Sequence, residues 1–194
     1  MIQSALGKPE LIVALTPSGY DANELQAGLA LQREAQARFS ARQAAVGAAA
    51  QAKVARDAAL AEAKDEFAAY RATVQANYKS GDRAGLAATG KVPDDIEKFR
   101  TLARGAYTAA QNPPYAAALS KNGFAATRFA DALTALDALA DSDIAFKKAD
   151  RDATQSTVDR NQAVAALEEW ASKFRKLAKV ALRKDPTNRS ALGV

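Results

Sequence analysis

The sequence of 194 residues contains no cysteine and no histidine. Without cysteine there is no disulfide framework, thiolate nucleophile or cysteine-ligated metal. Without histidine, most general-base, nucleophile-activating and transition-metal schemes lose their usual imidazole. Aromatic residues make up only 7%, with one tryptophan and one methionine. Proline is also scarce, at six residues. None falls between Asp21 and Lys79, nor between Phe124 and Asp185. The run Leu11-Ile12-Val13-Ala14-Leu15 is far too short to span a bilayer. Met1 is followed by neither a basic stretch nor a long apolar one, so the reading is a cytoplasmic chain without a classical signal peptide; signal-less export stays open. The expectation is a non-enzyme with no catalytic residue, cofactor or metal.

Much of the 48% apolar content is alanine. Alanine is the best helix former but brings one methyl to packing, and a buried group of that size is worth about 0.8 kcal/mol. Stability then has to accumulate over length or over partner subunits. Lysine and arginine total 27 against 22 acidic residues, a net charge of +5 that is compatible with anionic partners and demands none.

Asp21 to Lys79 reads as one very long helix. Asp21 is a good N-cap, with Glu24 placed three residues on as a capping box requires. Leu25, Leu29, Phe39, Val46, Val54, Leu60, Phe67, Tyr70, Val74 and Tyr78 recur at helical spacing with alanine between them. Gly47 is the one break signal, but strong helix formers flank it. A second long run spans about Ala125 to Lys184, its weak spot at Asp141-Ser142-Asp143, and Leu167, Trp170, Phe174, Leu177 and Ala181 form the apolar stripe of its last segment. Between the two runs, Pro93-Asp94-Asp95 starts a connecting helix, about 93–111, with Ile96, Phe99, Leu102, Ala103, Ala106 and Tyr107 on one stripe. Short helices are expected at Pro9–Leu15 and Tyr115–Leu119, and chain breaks at Ser80-Gly81-Asp82 and Asp185-Pro186.

A fixed offset of 104 residues brings Pro9 onto Pro113, Leu15 onto Leu119, Gly19 onto Gly123 and Tyr20 onto Phe124. It also brings Leu29 onto Leu133, Val54 onto Val158, Arg56 onto Arg160, and Tyr70-Arg71 onto Phe174-Arg175. The tails Arg83-Ala84-Gly85-Leu86 and Arg189-Ser190-Ala191-Leu192 agree loosely. One register kept from short helix through turn to helix end reads as a tandem duplication. The domain reading is a single helical domain, 1–194, of two repeats at about 8–86 and 112–192. The fold expected is all-α, an elongated antiparallel long-helix bundle or coiled coil with short connecting helices. The alternative is a compact four-helix bundle with each long run broken, near Gly47 and near Asp141–Asp143.

The stretch EEWASKFRKLAKVALRKDP followed by ALG, with the Ser18-Gly19-Tyr20 helix start, resembles a class of bacterial all-helical proteins. The resemblance implies the fold and no activity, so it carries over no functional residue.

Three constellations remain. Glu62, Asp65, Glu66, Glu168 and Glu169 lack the histidines of a di-metal bundle and read as solvated faces paired with cations. Lys173, Arg175, Lys176, Lys179, Arg183 and Lys184 form a basic face for an anionic partner, nucleic acid or an acidic membrane surface, although cations also complement a helix C-terminus. Tyr20, Tyr70, Tyr78, Phe124, Trp170 and Phe174 read as packing anchors near the ends of the long runs. The leading functional expectation is a non-enzymatic structural or assembly protein, a homo-oligomer that self-associates through alanine-rich helix faces. The alternative is an adaptor using the basic face.

Overall fold

A computed structural model describes residues 2–192, apart from the side chains of Ser4 and Ala191. It is all-α: helices α1 (Ile2–Leu6), α2 (Pro9–Leu15), α3 (Ala22–Asn77), α4 (Ser80–Gly85), α5 (Ile96–Ala110), α6 (Tyr115–Lys121), α7 (Ala126–Ala181) and α8 (Pro186–Leu192), with a 3-10 turn at Thr16–Ser18. Helices α3 and α7 are each 56 residues long and unbroken. Gly47 therefore does not interrupt α3, nor Asp141–Asp143 α7, and the broken-run bundle is excluded. A Cβ built on Gly47 meets nothing within 4 Å. Gly47→Ala should accordingly stabilise the protein by up to about 1 kcal/mol, the helix-propensity difference, as read from the urea midpoint.

Two compact units are formed: Met1–Gly47 with Asp150–Val194, and Ala48–Ala149. In the first, the start of α3 packs against the end of α7. Glu24 meets Trp170, Arg38 lies 3.7 Å from Asp159 and Arg42 bonds Thr157, so α7 numbers fall as α3 numbers rise and the helices are antiparallel. Its core gathers Leu11, Leu15, Tyr20, Leu25, Trp170, Phe174, Ala178 and Leu182, closed by Ile2 and Ala5 of α1 and Leu192 of α8.

The second unit has the same plan. The end of α3 runs antiparallel to the start of α7, with Arg56 over the Phe146 ring and Arg128 paired to Glu66. Phe67, Tyr70, Val74, Phe99, Tyr107, Leu119, Phe124 and Phe129 fill its core, and α5 supplies the extra layer. Asp95 caps α5 by accepting a hydrogen bond from the Lys98 amide.

Geometry recurs at the offset of 104. Ala22 and Asn77, the ends of α3, map onto Ala126 and Ala181, the ends of α7. Gly19 and Gly123 both sit at positive φ, 84° and 87°. The Tyr20 amide donates to the Leu15 carbonyl as the Phe124 amide donates to that of Leu119. These are the left-handed turns that let an apolar short helix fold back onto a long one.

Three helices depart from expectation. Helix α1 carried no start or stop signal. The segment after Ser80, expected as a loop, begins with α4. Asp185-Pro186 does not end the second long helix, which stops earlier, at Ala181; the pair starts α8 instead. Proline has the fixed φ of a first helical residue, and the Asp185 carboxylate accepts from the Asn188 amide at 3.0 Å. Both tails then bury a leucine, Leu86 and Leu192.

Candidate functional site

The aromatic anchors divide between the units. In the first, the Trp170 indole stacks on Phe174 with centroids 5.1 Å apart and meets Tyr20 edge-on at 5.6 Å. Its Nε1–H donates to Glu24 Oε1 at 3.0 Å. Glu24 is thus only half of a capping box: its amide bonds the Asp21 carboxylate at 2.9 Å, while its own carboxylate turns to the indole. The ring lies directly on Gly28, where an added Cβ would come within 2.3 Å of it.

In the second unit, Tyr70 is fully buried and its hydroxyl bonds the carbonyls of Leu86 and Ala106, at 3.1 and 3.3 Å. Burial pushes the Tyr70 and Tyr107 hydroxyls far above their ordinary range, so both stay protonated at any ordinary pH. Tyr78 is half-buried, its ring edge-on to Tyr115. Phe124 is buried beneath the Arg128 guanidinium, 3.9 Å from the ring centroid. That guanidinium grips Glu66 through two bonds, at 2.7 and 2.9 Å. Offset by 104, Arg128 corresponds to Glu24 and Glu66 to Trp170, so one cross-helix position carries an ion pair in one unit and an indole–carboxylate bond in the other. The sequence marks neither pair, because their members lie 62 and 146 residues apart.

Of the acidic residues, Glu66 belongs to Arg128, and Glu169 pairs with Lys173 at 2.7 Å on an exposed face. Glu62, Asp65 and Glu168 are exposed. Among the described residues, no group of three or more metal-ligating side chains is assembled. Two clefts, one within each unit, are about 650 and 550 Å³. They are open grooves, the larger lined by Ile2, Gln32, Leu167, Glu168, Ala171 and Arg175.

All six residues of the basic face are exposed. Lys173 is held to Glu169, which keeps its ammonium above the usual lysine range and the Glu169 carboxyl below its own. Leu177, expected on the apolar stripe, is 41% exposed, and Val180 beside it 69%. The core-facing stripe runs instead through Trp170, Phe174, Ala178 and Leu182.

A second set of exposed groups lies along the long helices. In the first unit, residues 36–47 and 150–169 contain no buried side chain, and Phe39 stands 54% exposed with Val46 and Val158. In the second, 48–62 and 140–149 contain none, and Val54 and Ile144 are 69% and 64% exposed. Phe39 and Val46, seven residues apart, share a helix face.

No protein family, curated protein or solved structure matches the chain, so the resemblance drawn from its C-terminal segment rests on those residues alone.

Proposed function

We propose that this is a non-enzymatic assembly protein whose long helices pack against those of further copies through their alanine-rich faces. The observation that carries the reading is the set of long, continuous helical stretches with no buried residue and with large apolar side chains left in water. A helix in a protein owes most of its stability to a packed face, and these stretches have only a shallow alanine seam. Alanine also permits close approach of a neighbouring helix, at the short end of the usual 8–10 Å. Cations and carboxylates alternate beside the apolar groups, as in Arg33-Glu34, Arg38, Arg56-Asp57, and would fix the register of a second copy. The lack of histidine and cysteine weighs in the same direction.

Sedimentation velocity across a dilution series tests this. The expected result is a concentration-dependent mass. Phe39→Glu with Val46→Glu should raise the dissociation constant at least tenfold, since each places a charge where an apolar group would be covered. Both positions are exposed in the single chain, so helix content should be unchanged. A monomeric mass at every concentration up to the solubility limit would sink the proposal.

A further inference from the structure

The end of α7 in the first unit combines two features that its fold does not require. Lys173, Lys176, Leu177 and Val180 fall within an arc of about 100° at 3.6 residues per turn. Lys179 borders that arc, and Arg183 and Lys184 follow in the turn after Ala181. Among the described residues no carboxylate lies within ion-pair distance of Lys176, Lys179, Arg183 or Lys184, whereas Glu169 is engaged by Lys173. Asp185, the next acid along the chain, accepts from Asn188 through both oxygens, at 3.0 and 2.7 Å. The helix dipole does not account for this charge, since its effect is confined to the last turn and is served by one or two cations.

The corresponding place in the other unit shows how little of this the architecture needs. At the offset of 104, Lys173, Lys176, Leu177, Lys179 and Val180 correspond to Ala69, Ala72, Thr73, Gln75 and Ala76. That surface lacks the counterparts of Lys173, Lys176 and Lys179 and of both aliphatics, keeping only Lys79 in the place of Arg183, yet its helix packs in the same way, with Tyr70 and Val74 buried where Phe174 and Ala178 are. The basic and aliphatic groups at the end of α7 are therefore additions to a helix that packs without them.

Cations alone suit any polyanion. Leu177 and Val180, standing among them in water, decide between polyanions: phosphodiester backbones offer nothing apolar to cover, whereas the headgroup boundary of an anionic bilayer offers both phosphates and acyl carbon. We infer that this face docks on an anionic lipid surface, with Leu177 and Val180 entering the headgroup boundary and Lys173, Lys176, Lys179, Arg183 and Lys184 held by lipid phosphates and carboxylates. Attachment is peripheral, since no described helix is long and apolar enough to cross a membrane.

The test is co-sedimentation of the full chain with vesicles of phosphatidylcholine alone and of phosphatidylcholine mixed with phosphatidylserine, at low and high salt. Binding is expected to the mixed vesicles only, weakening as salt rises. Lys173→Gln, Lys176→Gln and Lys179→Gln together should lower partitioning about a hundredfold, at about fivefold for each cation near an anionic leaflet. Leu177→Ser with Val180→Ser leaves the charge intact and should lower it about tenfold. Circular dichroism establishes that both variants are folded. The proposal is overturned by absence of binding to the mixed vesicles at low salt, or by a serine variant that partitions like the parent. It is equally overturned if a DNA duplex binds more tightly than the vesicles and the serine substitutions leave that affinity unchanged.

Discussion

Truncating Trp170 to alanine is expected to cost about 3–5 kcal/mol, as for other buried large aromatics. The ring is the centre of the first unit's core: stacked on Phe174, edge-on to Tyr20, bonded to Glu24 and seated on Gly28. Gly28 gives the sharper form of the test. Alanine there gains up to about 1 kcal/mol of helix propensity but places its Cβ 2.3 Å from the indole, a contact that only movement of the stacked ring relieves. Overpacking of that kind costs about 1–3 kcal/mol, so Gly28→Ala should be destabilising where Gly47→Ala, in the same helix, is stabilising. With Trp170→Ala in the background the obstacle is gone, and Gly28→Ala should change sign and become stabilising. The double-mutant cycle isolates that coupling. Trp170, the only tryptophan, reports the first unit directly by fluorescence in the wild type and the glycine variants, and circular dichroism follows the variants without it. An unchanged effect of Gly28→Ala in the two backgrounds would show that the indole does not occupy the glycine's space.

Gly28 also marks where reading the sequence stopped short. It lies in QAGLALQ, among strong helix formers, and nothing local separates it from Gly47 in AAVGAAA. One is a seat for an indole 142 positions away; the other faces open space. Periodicity registers which residues recur on a face, and with the lack of breakers it identified the long helices and their continuity. Contact across antiparallel helices depends on register, which periodicity does not contain. Hence Glu24 reads as the partner of its own helix's N-cap, while its carboxylate serves Trp170 on the other helix. Arg128 and Glu66 escape notice for the same reason. The assignment of Leu177 to the core fails differently. A spacing of three after Phe174 fits the stripe as well as a spacing of four to Ala178 does, and alanine, being small, is easily overlooked as the buried member.

Short helices were less legible than long ones because their stop signals double as start signals. Asp185-Pro186 reads as the stop of the second run, yet α7 has already ended at Ala181 and the pair begins α8, the aspartate capping and the proline supplying φ. Ser80-Gly81-Asp82 reads as a break, yet these residues themselves begin the short helix α4. In that helix Arg83 bonds back to the carbonyls of Tyr78 and Gln75, each at 2.5 Å, and satisfies the exposed end of α3. Both short helices deliver a leucine, Leu86 or Leu192, to the core of their own unit. The loose agreement of the two tails in sequence has that burial as its physical content.

Tyr70 should prove as sensitive in the second unit as Trp170 in the first. Its ring meets those of Phe67, Tyr107, Phe124 and Phe129, with centroids 5.2 to 6.1 Å away. Its hydroxyl reaches the carbonyl of Leu86, just past α4, and that of Ala106 on α5. One side chain of α3 therefore holds both the tail of the first long run and the connecting helix. Tyr70→Ala should cost about 3–5 kcal/mol through the cavity, and Tyr70→Phe about 1–2 kcal/mol through the lost hydrogen bonds and the buried carbonyls left behind. Burial keeps the hydroxyl protonated, so the loss in Tyr70→Phe should not vary between neutral and mildly alkaline pH. Hydrogen exchange gives the readout that assigns the damage. Amides of Ile96–Ala110 should lose protection in both variants, more in alanine than in phenylalanine. Trp170 fluorescence, reporting the other core, should shift far less than the exchange rates of α5. Protection of α5 unchanged in Tyr70→Phe would show that the ring alone, and not its hydroxyl, fastens the connecting helix.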